Sequence, residues 1–242
     1  MGPMRVATLE IDIRTGAVDT NLEAVDSGVR AAAAAGAVLV AVPEMWPTSF
    51  VPSASAADLR ASAAAVDAVA RLAEELGIVV VGSAFGPAPA QGVDPAGLPS
   101  NRAHVLGGGG MLGFHDKVHL FSPTAEHLAF RAGDAPPPVI ELPGTDVRIA
   151  PIVCYDLRFP DVARSAFRRG AEILVVVAQW PSARAPHWRA LVRGRAAELE
   201  GFVVASNRIG VAEIGRRRMK LEFLGDAAVV GPSGEDVPPV FL

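Results

Sequence analysis

The chain has 242 residues, half of them hydrophobic and a fifth charged, with a formal net charge of −4. This composition is typical of a globular protein and excludes a largely disordered chain. The slight acidity argues against a general nucleic-acid-binding protein. We expect a single domain over residues 1–242, because a chain of this length can bury one large core.

Cys154 is the single cysteine, so no disulfide can form within the chain. The first ten residues show a strand-like pattern rather than the charged head and apolar core of a signal peptide. No apolar stretch is long enough to span a bilayer, which takes roughly 20 residues. We therefore expect a cytoplasmic protein with no membrane partner.

Short apolar runs rich in valine and isoleucine predict buried strands at residues 5–11, 38–42, 78–85, 147–153, 173–178, 202–206 and 227–230. Two more runs flank the four glycines at 107–110 and predict a hairpin, because glycine accepts the positive φ of a tight turn.

Helices are predicted between these strands. Thr20 to Glu23 fits a capping box at the start of the first helix, and an apolar stripe from Leu59 to Leu76 predicts a second helix that ends at Gly77. Residues 161–169 and 187–200 predict two more. Alternating strands and helices indicate an α/β fold, and the hairpin indicates mixed rather than wholly parallel sheets.

Three chemically useful side chains follow predicted strands. Cys154 lies between a strand and a helix, a corner that exposes a sulfur beside backbone N–H groups. A thiol attacks an amide as the thiolate, so it needs a base or a cation nearby. Glu44 follows the strand that Pro43 ends, and it could be that base. Lys117, one of only two lysines against twenty arginines, could be that cation and hold an oxyanion.

Glu126 lies nine residues after Lys117 and could pair with it or hold a substrate amide. Without context, a buried structural cysteine and solvated loop carboxylates explain these residues as well. A metal site is the competing chemistry, because His115, His119 and His127 are close in sequence. We do not favour it, since His-x-x-x-His puts both ligands on one face only in a helix, and this segment is predicted to be a strand end and loop.

Together these residues resemble the nitrilase superfamily of carbon–nitrogen hydrolases, which use a Glu–Lys–Cys triad. The matching segments are 39–50, 116–134, 148–160 and 178–210. They occur in the family's order, and the ordered set is specific where any one segment is not. The resemblance implies a four-layer α-β-β-α sandwich with mixed sheets. It assigns the base to Glu44, the lysine to Lys117, the nucleophile to Cys154 and a supporting glutamate to Glu126.

The segments Cys154–Pro160 and Gln179–Arg184 look most like the omega-amidase branch, which deamidates 2-oxoglutaramate and 2-oxosuccinamate through a cysteine thioester. This implies a small amide substrate and no metal or organic cofactor. A carboxylate on the substrate needs a cation, for which Arg158 is the first choice and Arg184 the second, because guanidinium binds carboxylate through two parallel hydrogen bonds. We place Tyr155, through its backbone N–H, and Trp180 in the same substrate site.

Two departures from the family pattern stand out. Gln179 occupies a position where relatives have asparagine, and the chain ends without the family's last strand and C-terminal helix. We expect a homodimer, although in relatives those missing elements often build the subunit interface. Alternative functions are an N-carbamoyl amino-acid hydrolase, an aliphatic amidase or a nitrilase with the same triad. A non-catalytic binding or regulatory protein on this scaffold is an alternative of another class.

Overall fold

The structure is a computed structural model that describes residues 4–87 and 97–237. Its first sheet has the strand order β1-β2-β3-β4-β5, with strands at Val6–Thr8, Leu39–Ala41, Val79–Phe85, Asn101–Gly107 and Gly110–Asp116. The first three strands are parallel and the last two antiparallel. The predicted glycine hairpin is confirmed, with Gly108 and Gly109 both at positive φ in the turn between β4 and β5.

The second sheet has the order β12-β9-β8-β7-β6. Its strands are Ile140–Glu141 (β6), Arg148–Val153 (β7), Ile173–Ala178 (β8), Phe202–Asn207 (β9) and Ala228–Val230 (β12). The central three are parallel, and the two edge strands pair antiparallel to them. Both sheets are therefore mixed, as the sequence predicts. Sequence patterning missed β6, which has only two residues.

Helices cover the outer face of each sheet. Helices α1 (Val18–Ala34) and α2 (Ala56–Leu76) pack on the first sheet, and α3 (Pro160–Arg168) and α4 (Ala185–Leu199) pack on the second. Along β2, Leu39 and Ala41 enter the core between the sheets while Val40 enters the core under the helices. This alternation follows from the two-residue period of a strand. It buries both faces of each sheet and makes the four-layer α-β-β-α sandwich.

The two long helices begin differently from each other. Helix α1 starts at Val18 without a side-chain cap, so the capping box expected at Thr20 is wrong. Asn21 instead bonds the backbone of Arg14 and Pro47 and ties the helix to its neighbouring loops. Helix α2 ends at Gly77 in the left-handed conformation, as its sequence predicts. It begins with a capping box at Ser55, which the sequence analysis did not identify.

A hairpin of β10 (Ile209–Ile214) and β11 (Met219–Leu224) stands outside both sheets. Its register pairs Ile214 with Met219 and Gly210 with Phe223, so alternate residues share one face. Sequence patterning missed this hairpin. Among the helices of residues 4–87 and 97–237, none has the length and apolarity needed to cross a bilayer.

Candidate active site

The predicted triad residues all follow strands that end at one end of the sandwich. Glu44 comes three residues after β2, Lys117 directly after β5 and Cys154 directly after β7. The loop after β2 reaches the second sheet, because Glu44 N donates to the carbonyl oxygen of Ala178 at the end of β8. Two sheets packed face to face thereby bring together side chains that are up to 110 positions apart in the chain.

Three residues in or next to the predicted site have a left-handed backbone conformation. Cys154 has a φ of 45°, Met45 directly after Glu44 has 46°, and Ala125 directly before Glu126 has 58°. Each costs a non-glycine residue on the order of 1–3 kcal/mol, and such positions cluster at functional sites. At Cys154 the strained residue opens the 3₁₀ turn Cys154–Arg158, which sets the thiol at the corner that the sequence predicts.

The charged groups form a compact buried cluster. Lys117 Nζ lies 2.8 Å from Glu44 Oε1 and 2.9 Å from both carboxylate oxygens of Glu126. All three side chains are 1 % exposed. The thiol of Cys154 lines the same cleft as Glu44 and Lys117. Glu126 therefore pairs with the lysine, which was one of the two roles expected for it.

Burial and charge set the protonation of this cluster. Burial raises the pKa of Cys154 far above its usual range, and the neighbouring Glu44 carboxylate raises it further, against the opposing effect of Lys117. For Lys117, burial favours the neutral amine, but the charges of Glu126 and Glu44 outweigh it and raise the pKa. Burial also raises the pKa of Glu126, while Lys117 opposes that shift.

The resting thiol is therefore neutral. Lys117 does lower the pKa of the thiol, as expected, but burial and the Glu44 carboxylate outweigh it, so the lysine alone does not make a thiolate. A base must take the proton at the moment of attack.

Glu44 has several polar partners inside the buried site. Its Oε2 accepts the backbone N–H of Gln179 at 2.9 Å, and its Oε1 accepts the side-chain amide of Asn101 at 2.8 Å. Gln179 also donates to the carbonyl oxygen of Glu44 at 2.7 Å. Its own amide oxygen accepts from the buried guanidinium of Arg208 at 3.1 Å. The longer side chain found in place of the family's asparagine thus holds the loop of the base.

Asp156 joins the nucleophile turn to the lysine segment. This fully buried carboxylate lies 3.2 Å from His115 Nε2 and 3.0 Å from His119 Nδ1, and it accepts the backbone N–H of His119 at 2.9 Å. His115 and His119 flank Lys117, and Asp156 is two residues after Cys154. Although burial opposes it, hydrogen bonds from the two histidines lower the pKa of Asp156 to about 2.

The histidines therefore bind a carboxylate, which is a role that sequence reasoning missed. Their i,i+4 spacing was noticed as a metal pattern, whereas the alternation 115, 117, 119 could have indicated that both contact a common neighbour. Within residues 4–87 and 97–237, no group of three or more His, Cys, Asp or Glu side chains is arranged to hold a metal ion.

Arginines and aromatic rings form the mouth of the site. The guanidinium carbon of Arg158 lies 5.0 Å from the ring centre of Trp180 and 5.8 Å from that of Tyr155, and its Nη2 donates to His187 Nδ1 at 2.9 Å. Arg184 lies 5.5 Å from the ring centre of Phe121. In the described part of the chain, neither guanidinium has a carboxylate within 4 Å. By contrast, Arg195 pairs with Glu198 on the same helix, α4, at 2.9 Å.

All eight residues singled out from the sequence line one cleft of about 460 Å³: Glu44, Lys117, Glu126, Cys154, Tyr155, Arg158, Trp180 and Arg184. The hairpin of β10 and β11, absent from the sequence prediction, adds an apolar wall of Ile214, Leu221 and Phe223. The arrangement presents a thiol, a base and a cation in a water-poor pocket, with positive charge at its entrance.

The fold and this cluster define a class of enzyme that attacks carbon–nitrogen bonds with a cysteine. The chain belongs to the carbon–nitrogen hydrolase family, which it matches over residues 5–239. It is 34 % identical to the omega-amidase YafV of Escherichia coli K12 over 200 residues, covering 83 % of this chain and 71 % of that protein. It is 36 % identical to the 2-oxoglutaramate amidase of Bacillus subtilis over 118 residues, which are 49 % of this chain and 42 % of that protein.

Solved structures agree with this assignment. An amidase of the nitrilase superfamily from Nesterenkonia AN1 superposes with a TM-score of 0.83 and 28 % identity, covering 97 % of this chain and 85 % of that one. In another structure of that amidase, with 28 % identity and a TM-score of 0.83, acrylamide is added covalently at its active-site cysteine. That structure covers 97 % of this chain and 87 % of that one.

Proposed function

We propose that this carbon–nitrogen hydrolase is an omega-amidase. It hydrolyses the terminal amide of 2-oxoglutaramate or 2-oxosuccinamate to the 2-oxo dicarboxylate and ammonia. The observation that carries the proposal is a buried thiol–base–lysine cluster whose entrance holds two arginines without carboxylate partners in the described part of the chain. The similarity to proteins named omega-amidase and 2-oxoglutaramate amidase supports the same substrate class.

In the first half-reaction, Glu44 takes the proton of the Cys154 thiol as the sulfur attacks the amide carbon. The ammonium group of Lys117 and the backbone N–H of Tyr155 stabilise the oxyanion. Lys117 has three N–H donors and makes three contacts, one to Glu44 Oε1 and two to the carboxylate oxygens of Glu126. One N–H shared between the two oxygens of Glu126 leaves a donor for the oxyanion. Glu44 then passes its proton to the departing nitrogen, the carbon–nitrogen bond breaks, and ammonia leaves behind a thioester on the sulfur.

In the second half-reaction, Glu44 accepts a proton from water as the water oxygen attacks the thioester. The tetrahedral intermediate is held by the same donors, and it collapses by breaking the carbon–sulfur bond. Glu44 returns the proton to the sulfur, and the free acid leaves. Glu126 keeps Lys117 charged and oriented throughout, since it contacts the amine with both carboxylate oxygens. The chemistry proceeds without a metal or an organic cofactor.

Arg158 binds the carboxylate of the substrate, and Arg184 assists. Both side chains lie against aromatic rings, which orient a guanidinium, and Arg158 keeps N–H donors for a ligand besides the one that bonds His187. Trp180 forms the wall between them, and its ring N–H donates to the carbonyl oxygen of Arg184 at 2.9 Å.

An aliphatic amidase is the second candidate. The apolar wall of Phe50, Ile214, Leu221 and Phe223 favours an uncharged chain on the substrate. The likeness to the Nesterenkonia amidase points in the same direction.

The test is ammonia release from 2-oxoglutaramate, an N-carbamoyl amino acid, butyramide and a simple nitrile, each with the wild-type protein and with Cys154→Ala. We expect 2-oxoglutaramate to be the best substrate by at least tenfold in kcat/KM and Cys154→Ala to abolish turnover. Mass spectrometry of the wild type should detect an acyl adduct at Cys154. Best activity on butyramide supports the aliphatic amidase, and wild-type rates from Cys154→Ala refute the mechanism. A wild type inactive on the whole panel, with a Cys154 that does not react with iodoacetamide, favours a binding protein.

We further propose that the enzyme is a cytoplasmic homodimer. The family resemblance supports the dimer, and the single free cysteine suits a reducing compartment. Light scattering during gel filtration tests the dimer, and a mass of about 25 kDa, that of one chain, would contradict it.

A further inference from the structure

Asn101 is the first residue of β4, and it contacts three members of the charged cluster. Its side-chain nitrogen donates to Glu44 Oε1 at 2.8 Å and to Glu126 Oε1 at 3.2 Å. Its backbone carbonyl oxygen accepts the N–H of Lys117 at 2.9 Å. The residue is fully buried, so water does not compete for these bonds. One neutral side chain thus joins both carboxylates.

The orientation of this amide is set by a second chain of hydrogen bonds. The backbone N–H of Met45 donates to Ser83 Oγ at 2.8 Å, so the hydroxyl hydrogen of Ser83 is directed to Asn101 Oδ1, also at 2.8 Å. With its oxygen occupied in this way, the amide must present its N–H groups to the carboxylates. The path begins at the residue after Glu44 and returns to the Glu44 carboxylate, which closes a ring of bonds around the base.

The hydrogen bonds of this ring offset an excess of negative charge in the buried site. When ionised, Glu44, Glu126 and Lys117 sum to one negative charge in a site shielded from water, and both glutamates approach the same ammonium nitrogen. Like charges at such distances favour protonation of one carboxylate. Neutral donors counter this by stabilising the charged form. The backbone N–H of Gln179 donates only to Glu44, and that of Phe121 donates only to Glu126. The side-chain amide of Asn101 donates to both carboxylates.

We propose that Asn101 is a positioning residue for amide hydrolysis, whose side-chain amide holds Glu44 beside Lys117 in its proton-accepting form. The inference rests on the proposed role of Glu44 as the base. A purely structural asparagine would stabilise the fold without changing the pH at which the base works. The groups that face Glu44 are Lys117, Glu126, Cys154, Asn101 and Gln179, with Arg208 behind Gln179.

The experiment measures the pH dependence of Cys154 alkylation by iodoacetamide, which needs no substrate, in the wild type, Asn101→Leu and Asn101→Ala. Both variants remove the donor, and the alanine variant covers the case in which leucine does not fold. The acid limb is the low-pH part of the profile, over which the alkylation rate falls. We expect it to move to higher pH by about one unit, because the loss of a hydrogen bond to a charged group changes a pKa by about that much. The acid limb of kcat/KM should move in the same direction.

Asn21→Leu is the matched control, because Asn21 is also buried and bonded on three sides but lies in α1 with backbone partners. We expect it to lose stability with no shift of the acid limb. Folded Asn101 variants with the wild-type limb overturn the inference, as does an equal shift in Asn21→Leu.

Glu44→Gln separates this inference from the proposed function. We expect it to abolish the wild-type acid limb and to leave only a rise in rate at higher pH, set by ionisation of the Cys154 thiol itself. If the wild-type limb persists unchanged in Glu44→Gln, the base assignment fails and the role of Asn101 fails with it. If Glu44→Gln abolishes the wild-type limb and the Asn101 variants leave it unmoved, only the role of Asn101 fails.

Discussion

The floor and the mouth of the cleft differ in how their charged groups are bonded. On the floor, Glu44, Lys117 and Glu126 are buried, and each makes several hydrogen bonds to protein partners. At the mouth, the guanidinium groups of Arg158 and Arg184 lie on aromatic rings and have no carboxylate partner among the described residues. A fully bonded, dry cluster holds its geometry through a reaction cycle, whereas groups with free donors can adapt to a ligand. We therefore propose that the chemistry belongs to the floor and substrate choice to the mouth.

The largest effect should come from removing the cation of the floor. Lys117→Met leaves two buried carboxylates without a counter-charge, a change that typically costs about 3–5 kcal/mol in the free energy of unfolding. It also removes an oxyanion donor, so we expect kcat to fall by roughly 10³-fold. Urea denaturation and ammonia release measure the two effects.

Lys220→Met is the matched control for this change. Lys220 is the other lysine of the chain, and it is exposed on β11. Its replacement should leave both the stability and kcat close to wild type. If Lys117→Met behaves like Lys220→Met, the distinction between floor and mouth is wrong.

An intermediate effect is expected at Asp156, whose buried carboxylate contacts the two histidines that flank Lys117. Its pKa is about 2 in the folded protein against 3.8 as a reference, so its contribution to stability is complete above about pH 4 and is lost as pH falls through 2. The shift corresponds to roughly 2 kcal/mol. Asp156→Asn should therefore be less stable than the wild type at pH 6, and the gap should narrow by pH 3. Urea denaturation at both pH values measures this gap, and a gap that stays constant shows that the carboxylate charge is not its source.

The smallest effect should come from the mouth. Arg158→Met should raise KM for 2-oxoglutaramate by about tenfold with little change in kcat, because a partly exposed charge-assisted hydrogen bond is lost. KM for butyramide, which has no carboxylate, should not change. Arg60→Met, on the exposed side of α2, is the control. An equal rise in KM for both substrates would show that Arg158 shapes the cleft rather than binding a carboxylate.

The main elements of the fold were predictable from local pattern. Apolar runs in β3, β7 and β8 fit strands buried on both faces, and Gly77 marked the end of α2. The prediction was wrong where local signals competed with tertiary contacts. Asn21 resembled part of a helix cap, yet its side chain bonds the backbone of Pro47, which is 26 residues away. The hairpin of β10 and β11 was missed because its apolar face contacts the cleft rather than a sheet.

The sequence by itself determined which chemistry is possible. A lone cysteine, a rare lysine and a glutamate after predicted strands, in the order of a known family, were enough to nominate the residues of the cleft. Only the tertiary structure decided how their protons are distributed, because pKa values depend on burial and on neighbours that are distant in the chain. The pKa of Cys154 is raised rather than lowered. Gln179 and Asp156 support the site through contacts between the two sheets, and Asn101 does so through contacts between neighbouring strands and loops of the first sheet.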